Sequence, residues 1–293
     1  RPWHSAPVRI ELINTGSELL HGRVLNTHQE WLGQQLVAAG YELNHQQTVS
    51  DTGAAIQAAV SEEIARSELV IVTGGLGPTS DDITRQRIAE LLDTPLEEHT
   101  RTRDHITAFF RKLKRPMPEA VLVQAQVPAG AIVLPNHHGT APGLAMRTLK
   151  GWLIMLPGPP RELRPMYTDS VAPLLADKMP PKNPVHIRTL KTMGIGESSV
   201  EERISNPLAD LLDAGLEIGY CARMGEVDVR LVAHGDGAGK MLDGAESIVQ
   251  EHVGDFIYGR GDDQLEEVMV RELAKRGMTL VVAESCTGGF LAH

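Results

Sequence analysis

Cysteine is scarce: the 293-residue chain holds Cys221 and Cys286 and no others. Two such thiols give neither a disulfide framework nor a metal-ligand spacing, which fits a reducing, cytoplasmic setting. Aromatic residues make up 4% of the chain, too few for the stacking platforms that hold single-stranded nucleic acid. Positive charge is outweighed, with 28 Lys and Arg against 38 Asp and Glu, for a net charge of −10. That balance opposes binding to nucleic acid or to an anionic membrane. No apolar run reaches the roughly 18 residues of a spanning helix. The chain opens on Arg1 rather than Met, shows no signal peptide, and both ends read as cut.

What is present is organised around residues 69–92, LVIVTGGLGPTSDDITRQRIAELL. The apolar, mostly β-branched residues 69–72 read as a buried strand. Thr73-Gly74-Gly75-Leu76-Gly77-Pro78-Thr79-Ser80-Asp81-Asp82 follows, and Ile88, Leu91 and Leu92 then recur at helical spacing. Ser80 or Asp81 is expected to cap that helix, with Asp82 in its first turn. The glycines let the backbone approach a ligand, and a helix start offers unpaired N–H groups to an anion. Two adjacent carboxylates there invite a divalent cation carrying a phosphate. A tight turn with a capping Asp and no ligand is the other reading. No Gly-Lys-Ser/Thr follows and the G-x-G-x-x-G spacing is missing, so the loop is neither a Walker A loop nor a dinucleotide fingerprint.

Further strands are expected over 8–12, 41–48, 132–134 and 152–156. Helices are expected from about Asn26 to Gly40, along Ile56, Ala59, Val60 and Ile64, and along Ile106, Phe109, Phe110 and Leu113. The alternation argues for an α/β fold, a doubly wound, mainly parallel sheet. Such sheets bind ligands beyond the carboxyl ends of their strands. Four loops of small residues follow strands: Thr15-Gly16-Ser17-Glu18, the Thr73–Asp82 loop, Gly139-Thr140-Ala141-Pro142-Gly143, and Pro157-Gly158-Pro159-Pro160. Together they read as the floor of one pocket. A proline-dense linker at 179–184 closes this first domain, 1–178. Residues 185–258 read as a small α+β domain. It has alternation over 186–193 and at Val227, Val229 and Leu231, helices over 198–212 and 239–252, and a strand at 256–258. After a second linker, 259–263, come a helical stripe (Leu265, Val268, Met269, Leu273) and a strand at 279–282. These open a third domain, 264–293, which is expected to be truncated because one strand cannot bury its own faces.

The motifs quoted above resemble the CinA family of competence/damage-inducible proteins. The resemblance continues through Asn26-Thr27, Gly194-Ile195-Gly196-Glu197-Ser198, Gly225-Glu226-Val227 and Ala283-Glu284-Ser285-Cys286-Thr287-Gly288-Gly289, in the family's order. It implies a molybdopterin-binding-like (MoaB/MogA-like) first domain with metal-dependent ADP-ribose pyrophosphatase activity and a KH-like second domain. It also implies a C-terminal nicotinamide-nucleotide amidase acting in pyridine-nucleotide salvage. Three departures stand out. Ala120-Val121-Leu122-Val123 replaces a basic stretch. The Gly194-Ile195-Gly196-Glu197 turn is not the G-x-x-G of RNA-binding KH domains. The amidase stops almost where it begins.

The expected partners are therefore a small nucleotide and a second copy of the chain in a homodimer, with no nucleic acid and no membrane. The expected cofactor is Mg²⁺, Mn²⁺ or Co²⁺. Asp82 reads either as a metal ligand or water-activating carboxylate, or as a helix cap, and Asp81 shares both readings. Glu18 reads as a ligand or metal contact, or as half of a salt bridge. Asn26 caps a helix and faces the crevice. Gly74, Gly75, Gly77, Gly139, Gly143 and Gly158, with Gly16, offer backbone donors or clearance for phosphates, and Thr15, Thr79 and Thr140 offer hydroxyls. His137 and His138 cannot both face inward on an extended chain. Arg85, Arg87, Arg101 and Arg103 read as solvated helix charges ahead of phosphate clamps. Ser285 or Thr287 reads as the amidase hydroxyl. A non-catalytic nucleotide- or molybdopterin-binding module is the alternative function.

Overall fold

The computed structural model describes residues 8–290. Residues 1–7 and 291–293, at the outer edges of the first and third expected domains, lie outside that range. The chain divides at Pro184 into two compact units.

The first unit runs β1 (Ile10–Thr15), α1 (Ser17–Leu20), α2 (Thr27–Ala38), β2 (Leu43–Val49), α3 (Gly53–Arg66), β3 (Leu69–Thr73), α4 (Thr84–Leu91), β4 (Leu96–Glu98) and α5 (Thr100–Lys112). It continues with β5 (Gln126–Pro128), β6 (Ile132–Leu134), β7 (Gly143–Arg147), β8 (Trp152–Leu156), α6 (Pro160–Met166) and α7 (Ala172–Lys178). Its main sheet has the order β2-β1-β3-β8-β7-β6. The first four strands are parallel and the last two pair antiparallel.

Strands buried on both faces need apolar residues at successive positions, and β3 and β8 supply them. β3 sends Leu69 and Ile71 into one core and Val70 and Val72 into the other. β8 divides Trp152, Ile154 and Leu156 from Leu153 and Met155 in the same way. Leu32 and Leu36 of α2, Leu163 of α6 and Leu175 of α7 cover the first face. Ile56 and Val60 of α3 and Ile88 of α4 cover the second. Each such side chain, fully buried, contributes about 1.5–3 kcal/mol. The expected doubly wound, mainly parallel sheet is present. Its strand order reverses between β1 and β3, the place where such sheets open a crevice.

One expectation at this crevice is corrected. Neither Ser80 nor Asp81 caps the helix, and Asp82 is not in its first turn. Helix α4 starts at Thr84, with Ile83 at the capping position and no side-chain cap. One oxygen of the Asp82 carboxylate closes a preceding turn, where Oδ2 accepts from the Thr79 N–H (3.0 Å) and the Thr79 hydroxyl. The Thr84 N–H donates back to the Gly75 carbonyl (3.1 Å).

The second unit runs β9 (Val185–Met193), α8 (Glu197–Ile204), α9 (Ala209–Asp213), β10 (Glu217–Arg223), β11 (Glu226–His234), α10 (Ala238–Val253), β12 (Ile257–Arg260) and α11 (Leu265–Lys275). Its sheet is antiparallel, ordered β10-β11-β9-β12. The helix expected over 198–212 is two helices, because Pro207 lacks an N–H and disfavours helical geometry at Asn206. Strand β10, whose sequence has no clean alternation, forms by pairing along β11. The expected second linker is half strand, since Gly259 and Arg260 pair with Lys191 and Leu190.

The strand expected at 279–282 is absent: residues 278–284 have no regular structure. Leu280 and Val281 are 65% and 88% exposed. A lone extended segment has no partner for its backbone groups and no surface for its side chains, so propensity does not make it a strand.

Candidate active site

Beyond the carboxyl ends of β1, β3 and β8 lies a cavity of about 390 Å³. All four small-residue loops reach it. Thr15, Gly16 and Glu18 follow β1; the 74–78 turn with Asp81 and Asp82 follows β3. Thr140 and Ala141 precede β7, and Pro157, Gly158, Pro159 and Glu162 follow β8.

The Gly-Gly turn after β3 needs glycine for two reasons. Gly74 and Gly75 have φ of +98° and +67°, a region costly for any residue with a Cβ. A Cβ on Gly75 would also run into the Thr84 side chain. Among the described residues, the N–H groups of Gly75, Leu76 and Gly77 donate to nothing in the protein. Successive free backbone donors of this kind are what anion-binding concavities are built from.

Around those donors stand five carboxylates, Glu18, Asp51, Asp81, Asp82 and Glu162, and among the described residues no Lys, Arg or His lines the cavity with them. Sequence reasoning missed two of the five. Asp51 follows β2, and its Oδ2 accepts from the Ser17 N–H at 2.8 Å. Thr52 takes the cap of α3, which leaves Asp51 free for this role. The rule that ligands gather beyond strand carboxyl ends, applied to β2, points to it. Glu162 sits in the first turn of α6. It is 8% exposed and accepts from Asn136 Nδ2 at 2.8 Å.

Other candidates have different places. Asn26 caps α2, its Oδ1 accepting from the N–H groups of His28 (3.2 Å) and Gln29 (3.4 Å). The Thr79 hydroxyl donates to Asp82 rather than facing the cavity. Gly139 makes room for Glu162 and Gly143 for Met166, so their smallness serves packing. His137 and His138 are both exposed and do not line this cavity. Arg85 is not a solvated charge: it is 1% exposed, and burial depresses its pKa. Ser285 and Thr287 lie in the exposed segment after α11, where the Thr287 hydroxyl donates to Glu284 Oε2 at 2.7 Å.

The crevice supplies hard oxygen donors without soft ligands, the set that suits Mg²⁺, Mn²⁺ or Co²⁺. Its carboxylates do not converge into a closed cage. Among the described residues, the acidic and histidine group whose ligand atoms lie within 4.8 Å of one another is Glu11, His45 and Glu63. That group is neutralised by Arg9 and Arg66. An open acidic rim leaves coordination positions for water and phosphate oxygens.

His28 Nε2 lies 2.5 Å from the Gly158 carbonyl, so that nitrogen carries the proton. Burial pushes its pKa below the usual imidazole value of 6.5. Folding therefore favours neutral His28. This stabilisation is full above about pH 6.5 and is lost as pH falls through the depressed folded value. His28→Gln keeps a donor for Gly158 and cannot titrate. Its melting temperature is expected to gain on the wild type as pH falls from 7 to 5. Parallel melting curves across that range would clear His28 of the effect.

The Probable molybdopterin binding domain model matches residues 11–177, the Damage-inducible protein CinA KH domain model 187–259, and the CinA C-terminal domain model 262–293. A CinA-like protein of Akkermansia muciniphila is 41% identical over 287 residues, covering 97% of this chain and 67% of its own length. The chain belongs to the CinA family. A putative competence-damage inducible protein of Moorella thermoacetica is also 41% identical, over 98% of this chain and 69% of its own length. The crystal structure of CinA from Thermoplasma acidophilum superposes with a TM-score of 0.52 at 28% identity, covering 57% of this chain and 97% of that one. This CinA chain thus spans about two thirds of the length of its curated relatives. None of its described helices is long and apolar enough to cross a membrane.

Proposed function

We propose that the first unit hydrolyses ADP-ribose to AMP and ribose 5-phosphate with a divalent metal. The observation that carries this reading is the pairing of three free backbone donors with five carboxylates in one cavity. The donors favour an anion, while the carboxylates repel a bare one, and both are met by a diphosphate that arrives with a cation. A bound metal supplies charge neutralisation at the phosphate oxygens and lowers the pKa of water. The chain's own part is to orient. The N–H groups of Gly75, Leu76 and Gly77 hold phosphate oxygens. Asp82 and Asp81 sit beside them as metal-holding groups. Glu18, Asp51 and Glu162 remain to position water or accept its proton.

Incubating the chain with ADP-ribose and Mg²⁺, Mn²⁺ or Co²⁺ is expected to release AMP. Absence of AMP with every metal would overturn the reading. A binding module is the competing function. What favours it is that the 120–123 stretch brings no cation to the cavity and only Gln124 reaches it. Calorimetric binding of ADP-ribose without product would establish that alternative.

The amidase motif is a separate matter. A hydroxyl nucleophile needs a base held in place and water excluded, and Ser285 and Thr287 are both exposed. These 293 residues are expected to release no ammonia from nicotinamide mononucleotide. Ammonia above the no-enzyme rate would refute this.

A further inference from the structure

A cluster of metal-ligating groups stands apart from the crevice, toward the amino-terminal ends of β1 and β2. Glu11 of β1, His45 of β2 and Glu63 of α3 each bring one ligand atom to within 4.8 Å of the others. Both glutamates are fully buried, and His45 is half-exposed. The crevice begins at Thr15, further along β1, about 13 Å away at a rise of about 3.3 Å per residue. A bulge sets the cluster up. The register of β1 on β2 passes from Ile10↔Leu43 to Glu11↔His45 and skips Asn44. Asn44 Oδ1 instead accepts the Ile10 N–H at 2.7 Å. Bulges of this kind re-aim a side chain, and here His45 meets Glu11 on the face that α3 covers. Glu63 continues the buried stripe of α3 after Ile56, Ala59 and Val60.

Arg66 plugs this cluster incompletely. Its Nη2 donates to Glu63 Oε1 at 2.7 Å and lies 3.4 Å from His45 Nδ1. A guanidinium only donates, so His45 Nδ1 presents a lone pair. That lone pair leaves Glu11 Oε2, 3.0 Å from Nδ1, facing another acceptor. Glu11 Oε2 is buried and has no hydrogen-bond partner, a costly state for a carboxylate oxygen. One cation touching all three atoms would relieve it.

We propose that Glu11, His45 and Glu63 form a Zn²⁺ site, with Arg66 as the group the ion displaces. An imidazole with two carboxylates is a donor set that suits Zn²⁺ over Mg²⁺. Atoms bound at zinc distances to a tetrahedral ion stand about 3.3–3.5 Å apart. His45 Nδ1 is 3.0 Å from Glu11 Oε2 and 3.4 Å from Glu63 Oε1, close to that edge. Other groups already orient the ligands, as metal sites require. Arg9 Nε and Ser67 Oγ donate to Glu11 Oε1, and Gln47 Nε2 donates to Glu63 Oε1. Arg66 has somewhere to go, since its Nη1 is 3.3 Å from the exposed Glu62. The half-exposed side of His45 leaves the fourth position to water. Filled, the site ties the edge strand β2 to β1 and to the last turn of α3.

The test is a Zn²⁺ titration of the full chain by calorimetry, with Mg²⁺ in excess to occupy the crevice, and melting curves with and without Zn²⁺. The wild type is expected to bind Zn²⁺ and to melt higher with it. His45→Asn is expected to weaken binding at least tenfold, lose the zinc-dependent rise and melt near the wild type without metal. Arg66→Met removes the competitor. It is expected to melt lower without metal and to bind Zn²⁺ at least threefold more tightly. Asp82→Asn, in the crevice, is expected to change Zn²⁺ affinity less than twofold. No binding by the wild type, or binding that survives His45→Asn, overturns the proposal. So does binding that Asp82→Asn abolishes, or that Arg66→Met leaves unchanged or weakens.

Discussion

Asp82→Asn is expected to abolish metal-dependent turnover while leaving the fold intact. Asp82 lines the cavity beside the free donors and is the carboxylate closest in sequence to α4. Its structural duty is to accept from the Thr79 N–H and hydroxyl. An asparagine oxygen can still accept both, so the turn should close and the melting temperature should move by no more than about 2 °C, which corresponds to ~0.5 kcal/mol. What asparagine cannot supply is the charge that holds a hard cation. The expected loss of turnover is on the order of 100-fold or more. Product release at saturating metal is the measurement, with circular dichroism as the control. Activity near wild type would confine Asp82 to holding its turn.

Gly75→Ala is expected to damage stability and function together. The φ of +67° at this position costs a residue with a Cβ about 1–2 kcal/mol. The new methyl also meets the Thr84 side chain, an overpacking that adds about 1–3 kcal/mol. A drop of roughly 4–20 °C in melting temperature follows, at about 2–4 °C per kcal/mol. Gly130→Ala is the control. It has a φ of +76° but nothing within 4 Å of the new methyl, so it carries the backbone cost alone. Equal melting temperatures for the two variants would show that Thr84 yields freely.

The parts of this molecule most legible in sequence are those where one residue type answers one physical demand. Residues 69–72 and 152–156 are apolar throughout because both faces of a central parallel strand are covered. The small-residue loops were legible for a related reason, since glycine and proline mark places where the backbone rather than a side chain sets the geometry. Cavity-lining side chains at unremarkable positions were not legible. Asp51 and Glu162 look like ordinary first-turn or capping acids, and only the three-dimensional meeting of β2, β8 and β1 brings them to one cavity. Arg85 misled for the opposite reason. On a short polar helix it reads as a solvated charge, and nothing local reveals that the glycine turn folds over it. At the C-terminal end, local propensity at 279–282 spoke for a strand that had no neighbour to pair with.

That buried arginine has a consequence for the donors above it. Arg85 Nη1 donates to the Leu76 carbonyl at 3.4 Å, and Gln124 Nε2 approaches the same oxygen from another side at 3.5 Å. A trans peptide is rigid and planar, with its C=O and N–H pointing in opposite directions. Holding the Leu76 oxygen inward therefore turns the Gly77 hydrogen outward. In a glycine-rich turn, where peptide planes flip easily, this anchoring from behind removes one of the few soft motions left. A buried charge thus fixes the aim of a group at the cavity, working across a single amide plane as across a lever.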